Sequence, residues 1–97
     1  LDHVQQCVKA LSYIEDAYCL TKTNKRGLQV VAVIVLTEQA KAQLAQSRNL
    51  LFNRKIRSDL SAALETIAIP KRFRYLGSLP YNSSGKISKL AMEAFFD

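Results

Sequence analysis

The sequence lacks the segments that would place it in a membrane, on a secretory route or in a disordered class. Its longest apolar run, residues 30–36, has the length of a strand, far short of the ~20 residues that a membrane helix needs. The N-terminus does not show the basic and then apolar order of a signal peptide. With 48% hydrophobic and 23% charged residues and no repeats or linkers, the 97 residues predict one globular domain.

Histidine and cysteine are scarce, and their positions exclude the common metal and catalytic sites. His3 is the single histidine and has no ligand partner nearby, and Cys7 and Cys19 do not have a metal-ligand spacing. There is no nucleophile–histidine–acid set and no glycine-rich phosphate loop, so the chain alone does not resemble an enzyme. We interpret both cysteines as reduced core residues, which predicts a cytoplasmic location.

Acidic residues are few, and the formal net charge is +6. Between residues 48 and 74 only Asp59 and Glu65 oppose seven basic residues: Arg48, Arg54, Lys55, Arg57, Lys71, Arg72 and Arg74. Such a basic patch could bind nucleic acid, a phosphorylated cofactor or an acidic partner. Composition alone favours a simpler reading, that of a solvated helix face.

Periodicity and turn signals predict three strands. They lie near residues 17–21, 28–36 and 71–76, and the polar turn that ends at Gly27 joins the first two into a hairpin. The second strand is almost continuously apolar, which fits a central strand covered on both faces. The third alternates Phe73 and Tyr75 with two arginines, as a half-buried strand does.

Four helices are predicted around these strands. They span residues 2–11, 38–46 and 50–66, with Asp2, Thr37 and Asn49 as N-caps, and a last helix follows Ser88. The apolar face predicted for the last helix consists of Leu90, Ala91, Ala94 and Phe95. The elements give an α+β fold, a small three-stranded sheet with helices packed against it.

The segment between the last strand and the last helix is the candidate functional segment. Residues 79–89 read Leu-Pro-Tyr-Asn-Ser-Ser-Gly-Lys-Ile-Ser-Lys, whose turn residues would hold Lys86 on a short, well-defined loop. The segment is not a phosphate-binding loop, because Pro80 stands where such a loop needs glycine and Ile87 where it needs serine or threonine. A loop lysine by itself is more often merely solvated.

The larger pattern around Lys86 resembles the C-terminal signature of the adenylate-forming enzymes. This superfamily includes acyl-CoA synthetases, adenylation domains of peptide synthetases and luciferases. Residues 69–87 share its proline, aromatic-rich strand, Leu-Pro, Ser-rich turn, Gly-Lys and aliphatic residue, and residues 14–20 and 30–36 look like its two preceding strands. The turn is more similar to that of acyl- and aryl-CoA synthetases, although Ser88 and Lys89 depart from the basic pair usually found there.

The resemblance implies that residues 1–97 are the mobile C-terminal domain of a longer ligase, whose hinge and N-terminal domain are missing. Such an enzyme, often of fatty acid metabolism, uses ATP to form an acyl-adenylate and then a thioester with CoA or carrier-bound phosphopantetheine. ATP, Mg²⁺ and the carboxylic acid would bind mainly to the N-terminal domain. The partners implied are that domain, the acid, and CoA or an acyl carrier protein, and the isolated chain is expected to be inactive.

The resemblance also assigns roles to residues. Lys86 matches the lysine that promotes adenylation, and Ser83, Ser84 and Gly85 match the loop around it. Lys71 and Arg72 become candidate contacts to CoA or a carrier protein.

A basic binding module for nucleic acid or an acidic protein is the alternative. It would be carried by Arg54, Lys55, Arg57, Lys71, Arg72 and Arg74. No aromatic residues are interleaved at the spacing of a known RNA-binding motif. We therefore favour the ligase, for which no nucleic-acid partner is expected.

Overall fold

A computed structural model of the chain describes residues 1–46 and 48–96. Its helices are α1 (Asp2–Lys9), α2 (Glu38–Ala45), α3 (Asn49–Leu60) and α4 (Lys89–Ala94), and a 3₁₀ turn spans Thr66–Ala68. Its strands are β1 (Ile14–Asn24), β2 (Gly27–Leu36) and β3 (Arg72–Tyr75). The predicted α+β class and the order of the elements are confirmed.

The three strands form one mixed sheet in the order β1-β2-β3. β1 pairs with β2 antiparallel, and β3 pairs with β2 in parallel. The hairpin turn ends at Gly27, whose φ of +107° lies in a region that residues with a Cβ rarely adopt. β1 is longer than predicted because its pairing runs from Ile14, opposite Leu36, to Asn24, opposite Gly27.

β2 is the central strand, and it separates two hydrophobic cores. Its side chains alternate between the faces of the sheet, since successive residues of a strand point to opposite sides. The first core contains Ala32, Ile34 and Leu36 of β2 with Val4, Val8, Phe52, Ile56 and Leu60 of α1 and α3. The second core consists of Leu20, Val31, Val33, Val35, Leu79, Met92 and Phe96. The prediction of a strand covered on both faces is therefore confirmed.

The helix boundaries are partly as predicted. Thr37 caps α2, since its Oγ1 accepts a hydrogen bond of 3.3 Å from the Ala40 amide. Asp2 and Asn49 were wrong as caps, because each is the first residue of its helix and makes no side-chain cap. α3 ends at Leu60 rather than near residue 66. There the Ser61 hydroxyl donates to the Ser58 carbonyl over 2.6 Å, and this carbonyl also accepts the Ser61 amide.

The predicted apolar face of α4 was wrong. Met92 and Phe96 are buried in the second core, whereas Leu90 is 79% exposed and Ala91, Ala94 and Phe95 are also exposed. Ser88 caps the helix as predicted, since its Oγ accepts a hydrogen bond of 3.3 Å from the Ala91 amide. Met92 and Phe96 are four residues apart, a spacing that places two side chains on the same side of a helical segment. Two adjacent phenylalanines and a six-residue helix gave too little periodicity to choose between the faces.

Two arginines of β3 hold the C-terminal end of α4. Arg72 Nη2 donates to the Phe96 carbonyl over 2.7 Å, and Arg74 Nε donates to the Phe95 carbonyl over 2.9 Å. Both guanidinium groups also lie over the Phe96 ring, 5.4 and 5.0 Å from its centroid. Because the last carbonyls of a helix lack partners within it and carry partial negative charge, these contacts fix α4 against β3.

Substitutions on α4 test which of its faces is buried. We expect Met92→Ala to lower the free energy of unfolding by about 2–5 kcal/mol, because it leaves a cavity in the second core. Leu90→Ala is the matched control, two residues away on the exposed face, and should change that free energy by less than about 0.5 kcal/mol. Urea unfolding followed by circular dichroism measures both, and equal losses would contradict the packing described here.

The thiol of Cys19 should be unreactive in the folded protein. It is 4% exposed, and burial raises its pKa to about 12. Four pH units below that value, at pH 8, about one Cys19 in ten thousand would be the reactive thiolate. In a Cys7→Ser variant, Ellman's reagent should therefore detect the remaining thiol only after denaturant is added. Rapid reaction before unfolding would show that this part of β1 opens readily.

Candidate functional site

The loop that carries Lys86 is anchored to the body of the domain on both sides. On the upstream side Leu79 is buried in the second core, and the Tyr81 hydroxyl donates a hydrogen bond to Asp16 Oδ2 on β1. On the downstream side Ile87 is half-buried against the same core, and Ser88 caps α4. The loop is thus bound to the sheet and to a helix within a few residues of its tip.

The tip is a turn closed by four hydrogen bonds. The Asn82 amide donates to the Lys86 carbonyl over 2.8 Å, and the Gly85 amide donates to the Asn82 carbonyl over 2.9 Å. Asn82 Oδ1 also accepts the amides of Ser84 and Lys86, at 2.9 and 3.0 Å. Gly85 has a φ of +76°, a left-handed conformation that favours glycine. The four bonds give the turn, residues 82–86, a defined shape.

Asn82 contributes more to the turn than the sequence pattern alone predicts. Its side chain makes two of the four bonds, because the short amide of asparagine can accept main-chain N–H groups a few residues ahead. The signal was present in the sequence, as an asparagine at the start of a Ser-Ser-Gly turn.

Lys86 is exposed at this turn together with Ser83, Ser84 and Gly85. Among the residues that the structure describes, none forms an ion pair or hydrogen bond with its ammonium group. A lysine ammonium is a compact point charge on a flexible stem that can reach phosphate or carboxylate oxygens. The structure therefore brings together the four residues predicted for the loop and leaves the cation available to an external anion.

Lys71 and Arg72, the candidate CoA or carrier contacts, lie outside this turn at the start of β3. Lys71 is exposed, and its amide donates to the Val30 carbonyl over 2.9 Å. The Arg72 side chain is half-buried and already donates to the Phe96 carbonyl. Of the two side chains, Lys71 is the more accessible.

The basic residues of the alternative interpretation do not share one face. Those of α3, Arg54, Lys55 and Arg57, are exposed on the side of the sheet that holds the first core. Arg72 and Arg74 point to the opposite side, where both contact Phe96. Lys55 also lies 3.7 Å from Asp59 and 5.0 Å from the centre of the Tyr13 ring. The sheet thus divides the basic residues into two groups.

An open cleft of about 410 Å³ lies beside residues 79–81, which form the upstream limb of the loop. Its lining includes Glu15, Asp16, Glu38, Lys41, Leu79 and Tyr81. The Lys41 side chain lines this cleft, and its Nζ donates to Glu38 Oε1 at 3.1 Å and to the Gly77 carbonyl at 3.3 Å. The hydrogen bond to Asp16 raises the pKa of the Tyr81 phenol, because it stabilises the protonated donor. No sequence signal could have paired Tyr81 with Asp16, which are 65 residues apart.

Residues 1–46 and 48–96 have neither a metal-ligand cluster nor a helix that could span a membrane. No group of three or more His, Cys, Asp or Glu side chains there could hold a metal ion. No helix in the same residues is long and apolar enough to cross a membrane.

Curated proteins similar to this chain are ligases. The chain is 28% identical over 92 residues to the D-alanine--D-alanyl carrier protein ligase of Lactococcus lactis, covering 95% of the chain and 18% of the ligase. It is 33% identical over 98 residues to acyl-CoA ligase oryP of Aspergillus oryzae, covering 97% of the chain and 17% of that protein. The chain therefore spans about a sixth of the length of these relatives. No protein-family model matches it.

A solved structure supports the fold. The amide bond synthetase McbA from Marinactinospora thermotolerans matches 96% of the chain with a TM-score of 0.78, at 18% identity and over 17% of its own length. An identity this low shows a shared fold and nothing more. The sequence relatives confirm that this chain resembles one part, about a sixth in length, of the AMP-binding, acyl-CoA synthetase-like ligases, and the solved structure has the same fold.

Proposed function

We propose that the chain is the C-terminal domain of an ATP-dependent carboxylic acid ligase and that Lys86 is its catalytic residue for adenylation. The observation that carries the proposal is the closed, exposed turn that presents Lys86 without a counter-ion among the described residues. The sequence relatives are a carrier protein ligase and an acyl-CoA ligase, and the chain's share of their length suits a small domain. The pocket for the acid and ATP belongs to the remainder of the protein.

In the proposed first step, a carboxylate oxygen of the acid attacks the α-phosphorus of ATP. The bond from that phosphorus to the bridging oxygen breaks, and pyrophosphate leaves with the bonding electrons. Two anions must approach each other, and negative charge spreads over the α-phosphate oxygens. The Lys86 ammonium would contact both the carboxylate and the nucleotide, which reduces their repulsion and fixes the direction of approach.

The loop residues would let Lys86 reach that site. Ser83, Ser84 and Gly85 are small, so the turn is narrow enough to enter a cleft. We assign the Mg²⁺ that accompanies ATP to the N-terminal domain, as the resemblance to the adenylate-forming enzymes implies. No step that we assign to this chain involves the metal.

In the proposed second step, the sulfur of a CoA or carrier-bound phosphopantetheine thiol attacks the carbonyl carbon of the acyl-adenylate and loses its proton to water, while the bond from that carbon to the phosphate oxygen of AMP breaks. AMP leaves, and a thioester forms. The domain would turn to present another face for this step, and Lys71 would contact the phosphates of the acceptor. Arg72 is a weaker candidate, since one of its Nη atoms is bound to the Phe96 carbonyl. The two free cysteines suit a cytoplasmic enzyme, and fatty acids are among the acids such an enzyme could activate.

Replacing Lys86 in the full-length protein tests its role. We expect Lys86→Ala to lower the adenylation rate by two to three orders of magnitude, about 3–4 kcal/mol, as for loss of one preorganised transition-state contact. Thioester formation from synthetic acyl-adenylate should be spared. Pyrophosphate release measures the first reaction, and the acyl-thioester product measures the second.

Lys89→Ala is the control for this experiment. Lys89 is exposed three residues away and lies 3.9 Å from Glu93 on its own helix, so its loss should leave adenylation unchanged. Equal loss of both half-reactions in Lys86→Ala would rule out a role confined to adenylation.

The isolated chain should neither hydrolyse ATP nor bind it tightly, because the proposed nucleotide pocket lies elsewhere. Mixing it with a separately produced N-terminal domain should restore acyl-adenylate formation, whereas a Lys86→Ala chain should not. Isothermal titration calorimetry that gave micromolar affinity for ATP would contradict this assignment. Salt-dependent binding of the chain to nucleic acid, without restored activity, would favour the basic binding module instead.

A further inference from the structure

Tyr81 joins the loop to β1 of the sheet. Its hydroxyl donates to Asp16 Oδ2, across 65 residues of sequence. Asp16 lies in β1 where the register with β2 shifts, next to the pair formed by Ile14 and Leu36. The contact therefore connects the loop to the sheet through a side chain whose backbone is held by strand pairing.

The Asp16 carboxylate is itself held from two directions. Its Oδ1 accepts the Ala17 amide at 2.9 Å and lies 3.7 Å from Lys9 Nζ at the end of α1. These contacts leave Oδ2 directed to Tyr81. Because the Ala17 amide belongs to β1 and the exposed ion pair with Lys9 is weak, the acceptor takes its position from β1, and the hydrogen bond transmits that position to the loop.

The ring of Tyr81 does not belong to either core. The residue is 51% exposed, so burial of its ring is not its main contribution. Between the buried Leu79 and the start of the turn at Asn82, its hydroxyl makes the single side-chain hydrogen bond that the described residues supply. Without that bond, the upstream limb would be anchored only at Leu79.

Residues 87–88, the downstream limb of the loop, are held independently, because Ile87 packs against the second core and Ser88 caps α4. A closed turn whose upstream anchor lies three residues away can pivot through a larger angle, whereas anchors next to both of its ends fix its direction. A displacement of about 1 Å at a reacting group can cost up to roughly 100-fold in rate. The upstream anchor therefore decides how accurately the turn presents Lys86.

We propose that Tyr81 is a positioning residue for Lys86, acting through its hydrogen bond to Asp16. This inference rests on the proposed adenylation role of Lys86. Tyr81 does not touch the reacting atoms. It fixes the upstream end of the turn, five residues before the lysine. The turn is therefore already oriented for the Lys86 ammonium to contact the substrates.

The experiment uses the full-length ligase with Tyr81→Phe, Asp16→Ala and the double substitution. We expect each single variant to lower kcat for adenylation about tenfold, with KM for ATP and for the acid unchanged. The double variant should lose no more than either single one, since both remove the same bond. Thioester formation from synthetic acyl-adenylate should stay at the wild-type rate, which a general loss of folding would not allow.

Lys9→Gln is the matched control. It removes the positive charge beside Asp16 Oδ1 and leaves the hydrogen bond from Tyr81 to Oδ2 in place, so adenylation should be unchanged. A loss in Lys9→Gln as large as that in Tyr81→Phe would show that the Asp16 side chain acts through the α1 contact, and the proposal would be wrong.

Hydrogen exchange separates this inference from the proposed function. Amide exchange in residues 82–86 should quicken in Tyr81→Phe and Asp16→Ala, whatever reaction the enzyme performs. If Lys86→Ala slows adenylation while Tyr81→Phe changes neither kcat nor exchange, the positioning role is overturned and the function of Lys86 stands. If Lys86→Ala leaves adenylation intact, the proposed function fails and the positioning role fails with it, even where exchange quickens.

Discussion

Burial of β2 on both faces is the constraint on which the rest of the structure depends. Residues 31–36 are all buried, alternately in the first and the second core. Each such aliphatic side chain contributes about 1.5–3 kcal/mol when fully buried, so the strand needs helices on both sides of the sheet. α1 and α3 cover one face. The other face requires α4, and the loop that brings the chain from β3 to α4 is the one that carries Lys86.

The position of this loop follows from that topology. β3 pairs in parallel with β2, and the chain then crosses to the second core through Leu79. Since Leu79 and Met92 both pack beneath β2, the intervening residues must leave the core and return within a short distance. A closed turn satisfies this requirement. The exposed lysine at its tip is thus a consequence of the packing as well as of the turn residues.

Local signals in the sequence predicted most of the fold. The apolar run of β2, the caps Thr37 and Ser88, and the turn ending in Gly85 each act over a few neighbouring residues, and the structure has them where the sequence placed them. The buried face of α4 could not be read from its sequence, because a six-residue helix spans too few turns to establish a period. The contact of Tyr81 with Asp16 and that of Arg72 with Phe96 were also beyond reach, since tertiary folding alone brings these residues together.

The closed turn has a further consequence, which concerns water. The amides of Asn82, Ser84, Gly85 and Lys86 and the carbonyls of Asn82 and Lys86 all find hydrogen-bond partners within residues 82–86. A polar group that loses water without gaining a partner destabilises any buried arrangement. Here these main-chain groups already form hydrogen bonds with partners inside the turn and need no water. When such a turn enters a dry cleft, the remaining dehydration penalty falls on the Lys86 ammonium, the two serine hydroxyls and the other main-chain groups of the turn, and the ammonium, as the one charge, carries the largest share. An anion in the cleft can offset the largest of these penalties.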